Sequence, residues 1–464
     1  MKIRRKAVAL CSALSLSAVI VPAANAQESS QPTEQSSLSA TAAFQRPDAS
    51  VVLPARLSDT VDIMKSDAQD NIRIPAITVA ANGDVLASYD RRPKNGGFNG
   101  GDSPNANSIV QRRSTDNGKT WGEENVIAQG EVGPAKVGFS DPSYIVDKNT
   151  GTIFNFHVKS FDSGFFHNNP EYKYKADGSI DEEHRKTVNL GLAVSTDNGR
   201  TWENRVITDE VLRAVGGELQ SGFATSGAGI QIEQGPYAGR LVQQYGWLTK
   251  DGRVTASSVF SDDGGKTWNI GNFTPAQSVD GQDLTYDENT VVELSDGSLL
   301  LNSRSNNGKR IFAKSTDGGT NWENAYYEEE FTDPGNPAAG KKPGDNNAEL
   351  IRPFPNARPG TPESQVLLYS YTQGEGRTKG TIAASCDDGE SWPVKKVFQP
   401  SRTGYTTMAV QEDGSIGLLY EPGGFSNIGY VNFTLNWVDE NLCGGLAGVS
   451  NVPVEGADLS SGLS

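Results

Sequence analysis

One eight-residue pattern, Ser-x-Asp-x-Gly-x-x-Trp, recurs along the chain and constrains the fold more than any other feature. Its glycine supplies the positive φ angle of a tight turn, and its Ser and Asp side chains can bond to nearby backbone groups, so each copy predicts a β-hairpin turn. Five of the seven tryptophans in the sequence close such a turn, which indicates that a larger unit is repeated. The five copies span residues 114–121, 195–202, 261–268, 315–322 and 385–392.

The runs around each copy indicate what the larger unit is. Short stretches with alternating apolar residues flank the copies, as in "NSIVQRRS" before the first and "ENVIA" after it, and the tryptophan is expected to pack over its own hairpin. Further strand-like runs with their own glycine turns lie between the copies, so each period holds two hairpins, which make one four-stranded propeller blade. We therefore predict an all-β fold, a six-bladed β-propeller of four-stranded antiparallel sheets, in which one blade lacks the pattern. Seven blades are the alternative count.

The ends of the sequence predict segments outside this domain. Residues 1–26 begin with the basic stretch "MKIRRK", continue with an apolar stretch and end in small residues, as a cleaved signal peptide does, with an uncleaved anchor as the alternative. We expect residues 27–50 to be disordered, residues 51–443 to form the propeller, and residues 444–464 to be a flexible tail. The protein is therefore expected to be secreted and extracellular, with retention at the cell surface as a further option.

Charge and cysteine content limit the classes of partner and cofactor. The formal net charge is −16, and removal of the basic signal peptide makes it more negative, so we expect no binding of nucleic acid and no membrane insertion. An anionic ligand would need a concentrated cationic site. No Cys/His cluster has metal-ligand spacing, so we predict no metal and no cofactor. Cys386 and Cys443 either form a disulfide or stay as two buried thiols, and we expect a monomer.

Two familiar motifs inside the repeats are disfavoured. Gly-Lys-Thr at residues 265–267 looks like part of a phosphate-binding loop, but Phe260 stands where such a loop needs glycine. The first copy looks like a calcium-binding loop but lacks the bidentate glutamate. The aspartates of the repeats are therefore interpreted as turn formers that build the scaffold.

The repeats, together with "RIP" at residues 73–75, resemble the exo-sialidases, and among them the secreted bacterial sialidases, over about Leu53 to Cys443. The resemblance implies an exo-α-sialidase that hydrolyses terminal α-linked sialic acids from glycoproteins, glycolipids and oligosaccharides. The expected partners are therefore sialylated glycans.

The resemblance also implies how the substrate is held. Sialic acid carries a carboxylate, which an acidic protein must bind through fixed guanidinium groups. Sialidases use three arginines, and these match Arg73, Arg304 in "LLLNSRSNN" and Arg377 in "GEGRTKG". Arg352 in "ELIRPFP" competes with Arg377 for the third position.

The catalytic residues follow from the same resemblance. A carboxylate nucleophile would be repelled by the substrate's own carboxylate, whereas a neutral tyrosine would not, and the matching residue is Tyr405. Glu288 is expected to take the proton from Tyr405. Asp102 lies on the glycine-rich stretch "NGGFNGGDSPN", which predicts a mobile rim. It is expected to protonate the leaving group and then activate water, with net retention through a covalent tyrosyl intermediate.

Four further residues match contacts around the sugar ring. The resemblance places Arg92 and Asp141 near the polar ring substituents and Asp287 near the glycerol side chain. Val158 matches an apolar wall for the N-acetyl methyl group.

Other activities stay open at this point. A trans-sialidase, or an intramolecular variant that releases an anhydro-sugar, would keep the fold; extra aromatic acceptor sites would favour transfer, and the sequence shows no clear sign of them. A non-catalytic propeller that binds sialylated glycans would be expected to lack Tyr405, Glu288 or Asp102. A glycosidase with a carboxylate pair would not need three arginines.

Overall fold

Antiparallel sheets make up most of the regular structure, which confirms the predicted all-β class. The computed structural model describes residues 53–279, 281–305, 308–332, 346–423 and 427–445. The predicted signal peptide, the segment 27–50 and most of the predicted C-terminal tail lie outside the described residues. The domain boundaries at 51 and 443 therefore stay predictions.

Four sheets follow one another along the chain, built mainly by antiparallel pairing of strands that are neighbours in sequence. The first contains Asp70–Val79, Val85–Pro93, Ser108–Ser114 and Asn125–Ala128. The second contains Gly138–Val146, Ile153–Ser160, Asn189–Ser195, Glu203–Val206 and a short parallel strand, Gly227–Ala228. The third contains Leu219–Ala224, Ile230–Gln231, Leu241–Thr249, Val254–Ser261 and Asn269–Ile270. The fourth contains Asn289–Glu293, Leu299–Arg304, Lys309–Ser315 and Glu323–Thr332.

The last sheet has seven strands because one long strand, Val394–Val410, takes part in two ladders. Its first half, up to Arg402, pairs with Thr378–Ser385, and its second half, from Thr403, pairs with Ile416–Pro422. The first and last strands of the described chain lie side by side at one edge. In spatial order the strands are Val61–Lys65, Asn427–Phe433, Ile416–Pro422, Val394–Val410, Thr378–Ser385, Leu367–Gly374 and Glu349–Ile351.

The remaining regular elements are short. A separate small hairpin joins Ser278–Val279 to Gln282–Asp283. The helical segments in the described residues are Thr208–Leu212, Arg213–Val215, Gly235–Tyr237, Pro362–Gln365, Leu435–Val438 and Leu442–Gly444. Within the described ranges, none of the helices has the length and apolar character needed to cross a membrane.

The repeated pattern forms the same turn each time. In the first copy Ser114 Oγ accepts a hydrogen bond from the Gly118 amide at 2.8 Å, and Asp116 accepts one from the Thr120 amide at 2.9 Å. The equivalent bonds occur in the other four copies. Because both carboxylate oxygens of Asp116 bond within the turn, the interpretation of these aspartates as turn formers is confirmed.

The tryptophan of the pattern reaches beyond its own hairpin to a neighbouring sheet. Trp268, at the end of the third copy, lies 5.6 Å from the ring centre of Phe154 and 4.8 Å from that of Phe156, both in the second sheet. Trp121, in the first copy, lies 5.3 Å from the ring centre of Tyr430 in the last sheet. The prediction that each tryptophan covers its own hairpin was therefore incomplete, since these large rings also join one sheet to another.

Cys386 and Cys443 form a disulfide, with 5.6 Å between their Cα atoms. This decides between the two alternatives left open by the sequence. The bond ties the fifth copy of the pattern to the short helical segment Leu442–Gly444 near the end of the described chain.

Candidate active site

Three arginine side chains surround one tyrosine. The guanidinium carbons of Arg73 and Arg377 each lie 5.2 Å from the centre of the Tyr405 ring. Arg304 Nη1 lies 3.3 Å from the Tyr405 hydroxyl oxygen. The residues come from the first, the fourth and the seven-stranded sheets, so only the folded chain brings them together.

Glu288 is the partner of the tyrosine hydroxyl. Tyr405 Oη donates a hydrogen bond to Glu288 Oε1, and Arg304 Nη1 donates one to Glu288 Oε2 at 2.7 Å. Burial raises the pKa of Tyr405 well above its ordinary value, and the charge of Glu288 raises it further, whereas the three arginines lower it. The phenol is therefore neutral in the free protein, and its proton points at a carboxylate.

A buried carboxylate that the sequence analysis missed positions both the first arginine and the tyrosine. Glu421 is fully buried and accepts hydrogen bonds from Arg73 Nε at 2.8 Å and from the Ile74 amide at 2.9 Å. It also accepts one from the Tyr405 amide at 3.1 Å. Burial raises the pKa of Glu421, but Arg73 and the Ile74 amide outweigh this and lower it, so the carboxylate is ionised. Its sequence signal is an acidic residue at the end of the apolar run "IGLLYE".

The first strands of the first and second sheets each contain an irregularity next to a site residue. In the first sheet the ladder shifts register just after Arg73, where Ile74 takes a φ of 60°. In the second sheet it shifts just after Ser140, where Asp141 takes a φ of 62°. A proline follows each of these two residues. A left-handed conformation is uncommon for a β-branched residue such as Ile74, so the surrounding structure must hold it.

Asp102 lies at the rim of the site and is paired with Arg92. Arg92 Nη1 is 2.5 Å from Asp102 Oδ1, and the same guanidinium is 2.8 Å from the buried Asp90. The side chain of Asp102 is 68 % exposed, whereas that of Arg92 is buried. The positive charge of Arg92 lowers the pKa of Asp102 to about 2. Asp102 is therefore ionised in the free protein at neutral pH.

Asp141 connects the two sides of the site. Its backbone amide donates a hydrogen bond to Asp90 Oδ1 at 3.0 Å. Burial raises the pKa of the Asp141 carboxyl well above its ordinary value, and the negative charges of Asp90, Asp102 and Glu288 add to this effect. The positive charge of Arg92 acts in the opposite direction and lowers this pKa, but burial and the three carboxylates outweigh it.

The glycine-rich stretch that carries Asp102 is anchored by hydrogen bonds. The Phe98 amide donates to Asn105 Oδ1 at 2.9 Å, and Ser103 Oγ donates to Ser160 Oγ at 2.6 Å. These contacts hold the stretch from within and from the second sheet. The mobility predicted from its glycine content is therefore limited by the hydrogen bonds at Phe98 and Ser103.

The other predicted residues border the same region. Asp287 Oδ2 lies 3.9 Å from Arg304 Nε. Val158 is buried and packs in a small apolar cluster with Phe223. A Cβ atom added to Gly246 would lie 2.6 Å from the Phe223 ring and 2.7 Å from the Asp287 carbonyl oxygen, so this apolar cluster meets the segment that carries Asp287.

Arg352 lies outside this cluster. Its Nη1 is 3.8 Å from Glu293 and 4.0 Å from Glu233. It lines a cavity of about 280 Å³. This cavity lies at the C-terminal ends of strands such as Asp70–Val79 and Gly138–Val146, whereas Arg73 lies near the start of its strand. Of the two arginines that competed in the sequence analysis, Arg377 is the one beside Tyr405.

The arrangement offers fixed positive charge for a carboxylate, a neutral hydroxyl bonded to a carboxylate, and a second, exposed carboxylate at the rim. Among the residues that the structure describes, no group of three or more His, Cys, Asp or Glu side chains is arranged to hold a metal ion. The chemistry that these side chains support is therefore substitution at a carbon next to an anionic group.

The chain also matches known proteins. The BNR repeat-like domain model matches residues 98–418. The sialidase of Micromonospora viridifaciens is 44 % identical over 386 residues, which cover 82 % of this chain. The chain belongs to the sialidase family. It spans about half of the Micromonospora sialidase, 54 % of its length.

Other sialidases match over a similar part of the chain. The sialidase of Bacteroides fragilis (strain YCH46) is 28 % identical over 372 residues, which cover 78 % of this chain and 61 % of that protein. Among solved structures, the Hadza microbial sialidase Hz136 matches with a TM-score of 0.63 and 26 % identity, over 79 % of this chain and 66 % of the other. The fold and the family likeness therefore agree.

Proposed function

We propose that this protein is an exo-α-sialidase that releases terminal α-linked sialic acid from sialylated glycans with retention at the anomeric carbon. The observation that carries the proposal is the convergence of Arg73, Arg304 and Arg377 on Tyr405, whose hydroxyl bonds to Glu288. The relatives named sialidase support the same activity.

In the first step the substrate carboxylate binds between the three guanidinium groups, which stay charged at all relevant pH values. Tyr405 Oη attacks the anomeric carbon while Glu288 accepts the phenolic proton. The nearby arginines offset the negative charge that develops on the oxygen. The bond between the anomeric carbon and the leaving oxygen breaks, and a tyrosyl–sugar intermediate forms.

Asp102 has the role of acid and then of base. It gives a proton to the leaving oxygen, and later takes one from the water that attacks the anomeric carbon of the intermediate. The bond between that carbon and Tyr405 Oη then breaks, and Glu288 returns the proton to the tyrosine oxygen. Because Arg92 keeps Asp102 ionised in the free protein, Asp102 must gain its proton as the complex forms. The negative charge of the bound substrate favours this, since a nearby like charge raises the pKa of a carboxyl group.

The remaining contacts would hold the sugar ring. Arg92 and Asp141 face its polar substituents, and Asp287 faces the glycerol side chain. Val158, with Phe223 beside it in the apolar cluster, receives the N-acetyl methyl group.

The same proposal includes the architecture, a six-bladed β-propeller. Four separate sheets and the two halves of the seven-stranded sheet, divided at Arg402, give six units. The innermost strands of consecutive units contact one another. Val394–Val410 in the last unit also contacts Asp70–Val79 in the first, as a closed ring requires.

We also propose that the protein is exported, after cleavage of residues 1–26, and acts outside the cell as a monomer with residues 51–443 as its catalytic domain. The disulfide between Cys386 and Cys443 supports an oxidising compartment.

The test is NMR spectroscopy of the first sugar released from a synthetic α-sialoside. Initial α-sialic acid is the expected product. Initial β-sialic acid would mean inversion and would contradict the tyrosyl intermediate, and an anhydro-sugar would identify the intramolecular variant. Binding of the sialoside without any product would identify a non-catalytic glycan-binding protein.

A further inference from the structure

Two aromatic rings are exposed beside the rim carboxylate. Phe98 is 37 % exposed and Phe166 is 56 % exposed, and they are the only aromatic residues among the large apolar side chains exposed in the described part of the chain. A single exposed apolar residue needs no explanation, but two aromatic rings at one edge of a site indicate a contact surface.

Phe98 is fixed directly next to Asp102. Its ring packs on Gly101, since a Cβ atom added to Gly101 would lie 3.0 Å from Phe98 Cδ1. The Gly101 amide donates a hydrogen bond to the Phe98 carbonyl, also at 3.0 Å. The exposed ring is therefore held one residue away from the carboxylate that would protonate the leaving group.

The loop that carries Phe166 is joined to the same place. A Cβ atom added to Gly164 would lie 2.0 Å from the Ser103 carbonyl oxygen, so the two backbones are in close contact. Gly164 and His167 exchange two backbone hydrogen bonds of 3.1 Å, which present Phe166 at the tip of a tight turn. The ring centre of His167 lies 4.9 Å from that of Phe98.

The exposed rings continue the apolar wall of the site. Phe166 lies 4.5 Å from Phe165, and Phe165 lies 4.7 Å from Phe223, measured between ring centres. Phe223 packs with Val158. An aromatic surface thus runs outward from the wall of the site to the region of the rim beside Asp102.

We propose that Phe98, His167 and Phe166 form a platform for the sugar to which sialic acid is linked, which is the leaving group. The platform would favour such substrates over sialosides with a small leaving group. An acid must contact the glycosidic oxygen, so the group on the far side of that oxygen lies over the residues next to Asp102. The apolar C–H face of a pyranose fits an aromatic ring, and the imidazole of His167 can bond to its hydroxyl groups. This inference rests on the sialidase activity proposed above.

The test compares two substrates that differ only in the leaving group, sialyllactose and methyl α-sialoside. Phe166→Ala is expected to lower kcat/KM for sialyllactose about 5- to 10-fold, while kcat/KM for methyl α-sialoside stays within about twofold. Phe166→Trp should keep the wild-type preference because it keeps an aromatic face. Val397→Ala is the control, since Val397 is also exposed but lies on a strand of the last sheet.

Failure of this inference differs from failure of the proposed activity. If the unchanged protein cleaves neither substrate, the sialidase proposal itself is wrong. If it cleaves both, and Phe166→Ala lowers kcat/KM equally for both or for neither, the platform does not exist. Phe98→Ala is expected to cause the same selective loss for sialyllactose; an equal loss for both substrates, or no loss for either, would show that Phe98 is not part of the platform.

Discussion

The hydroxyl of Tyr405 bonds directly to the carboxylate of Glu288, although the two residues are 117 positions apart in the chain. Burial and the charge of Glu288 both raise the pKa of the phenol, so Tyr405 approaches a substrate as a neutral group. In the proposed reaction Glu288 is the base, and because it already contacts Tyr405, no rearrangement is needed before proton transfer. The proposal assigns substrate binding to the three arginines and the reaction to this pair, so a mutation in the pair should change turnover without changing affinity.

Tyr405→Phe should therefore remove turnover and leave binding intact. We expect kcat for an aryl sialoside to fall at least about a thousandfold, while a sialic-acid-like inhibitor binds with an unchanged Kd in calorimetry. Tyr371→Phe is the matched control, because the buried hydroxyl of Tyr371 has no hydrogen-bond partner among the described residues. Near-normal turnover by Tyr405→Phe would show that another group is the nucleophile.

The two competing arginines allow one substitution to be compared at two places. Arg377→Lys keeps the charge but loses the fork that binds a carboxylate through two hydrogen bonds, so we expect the Kd of the same inhibitor to rise about 30- to 100-fold. Arg352→Lys should leave the Kd within about twofold, since Arg352 lies away from Tyr405. The opposite ranking would exchange the two assignments.

Asp102→Asn tests the acid through the leaving group. A nitrophenolate can leave without being protonated, whereas lactose and methanol need a proton on the leaving oxygen. We expect kcat/KM to fall about 100-fold or more for sialyllactose and for methyl α-sialoside, and by a much smaller factor for nitrophenyl sialoside. An equal loss for all three substrates would show that Asp102 acts on the substrate in some way other than proton donation.

Glu421→Gln tests the buried carboxylate that positions Arg73. The pKa of Glu421 is lower in the folded protein than its ordinary value, so its ionised form stabilises the fold above the unfolded pKa of about 4.3. This contribution is lost as the pH falls through the folded pKa. We expect Glu421→Gln to lower the free energy of unfolding by about 3 kcal/mol at pH 7, and the difference from the unchanged protein to shrink toward pH 3. Urea unfolding at several pH values measures it, and a difference independent of pH would contradict the ion pair.

Replacing both Cys386 and Cys443 by alanine should lower stability without changing turnover in the folded protein. The disulfide closes a loop with a sequence separation of 57, for which chain entropy predicts a loss of about 4 kcal/mol. Urea unfolding with and without dithiothreitol checks this. The reductant should destabilise the unchanged protein and leave the double variant as it was.

The fold could be predicted where the information is local. Each turn of the repeats is made by a serine and an aspartate that bond within the same few residues, as Ser114 and Asp116 do, so its sequence is enough. The contact of Trp268 with the second sheet was not predicted, because a hairpin sequence does not tell which neighbour it meets. Nor does the sequence reveal that Val394–Val410 runs through two ladders without a break.

The site shows the same limit. The resemblance gave Arg73 and Tyr405, and the structure brings them together. Glu421 was missed because its meaning depends on Arg73, which is 348 residues away. Arg377 was predicted as the third arginine, but Arg352 stayed a rival because short flanking stretches do not show at which end of a strand a side chain lies.

The pairing of Val61–Lys65 with Asn427–Phe433 has a consequence for how the protein can be shortened. The first strand of the described chain covers the backbone edge of the last one. The present edge is short and its ladder shifts register after Asp62, whereas loss of this strand would expose the seven-residue edge of Asn427–Phe433. A longer and more regular bare edge recruits strands from other molecules more readily. A cut made only a few residues too far from the amino end would thus turn a protein with a covered last strand into one that associates with its own copies.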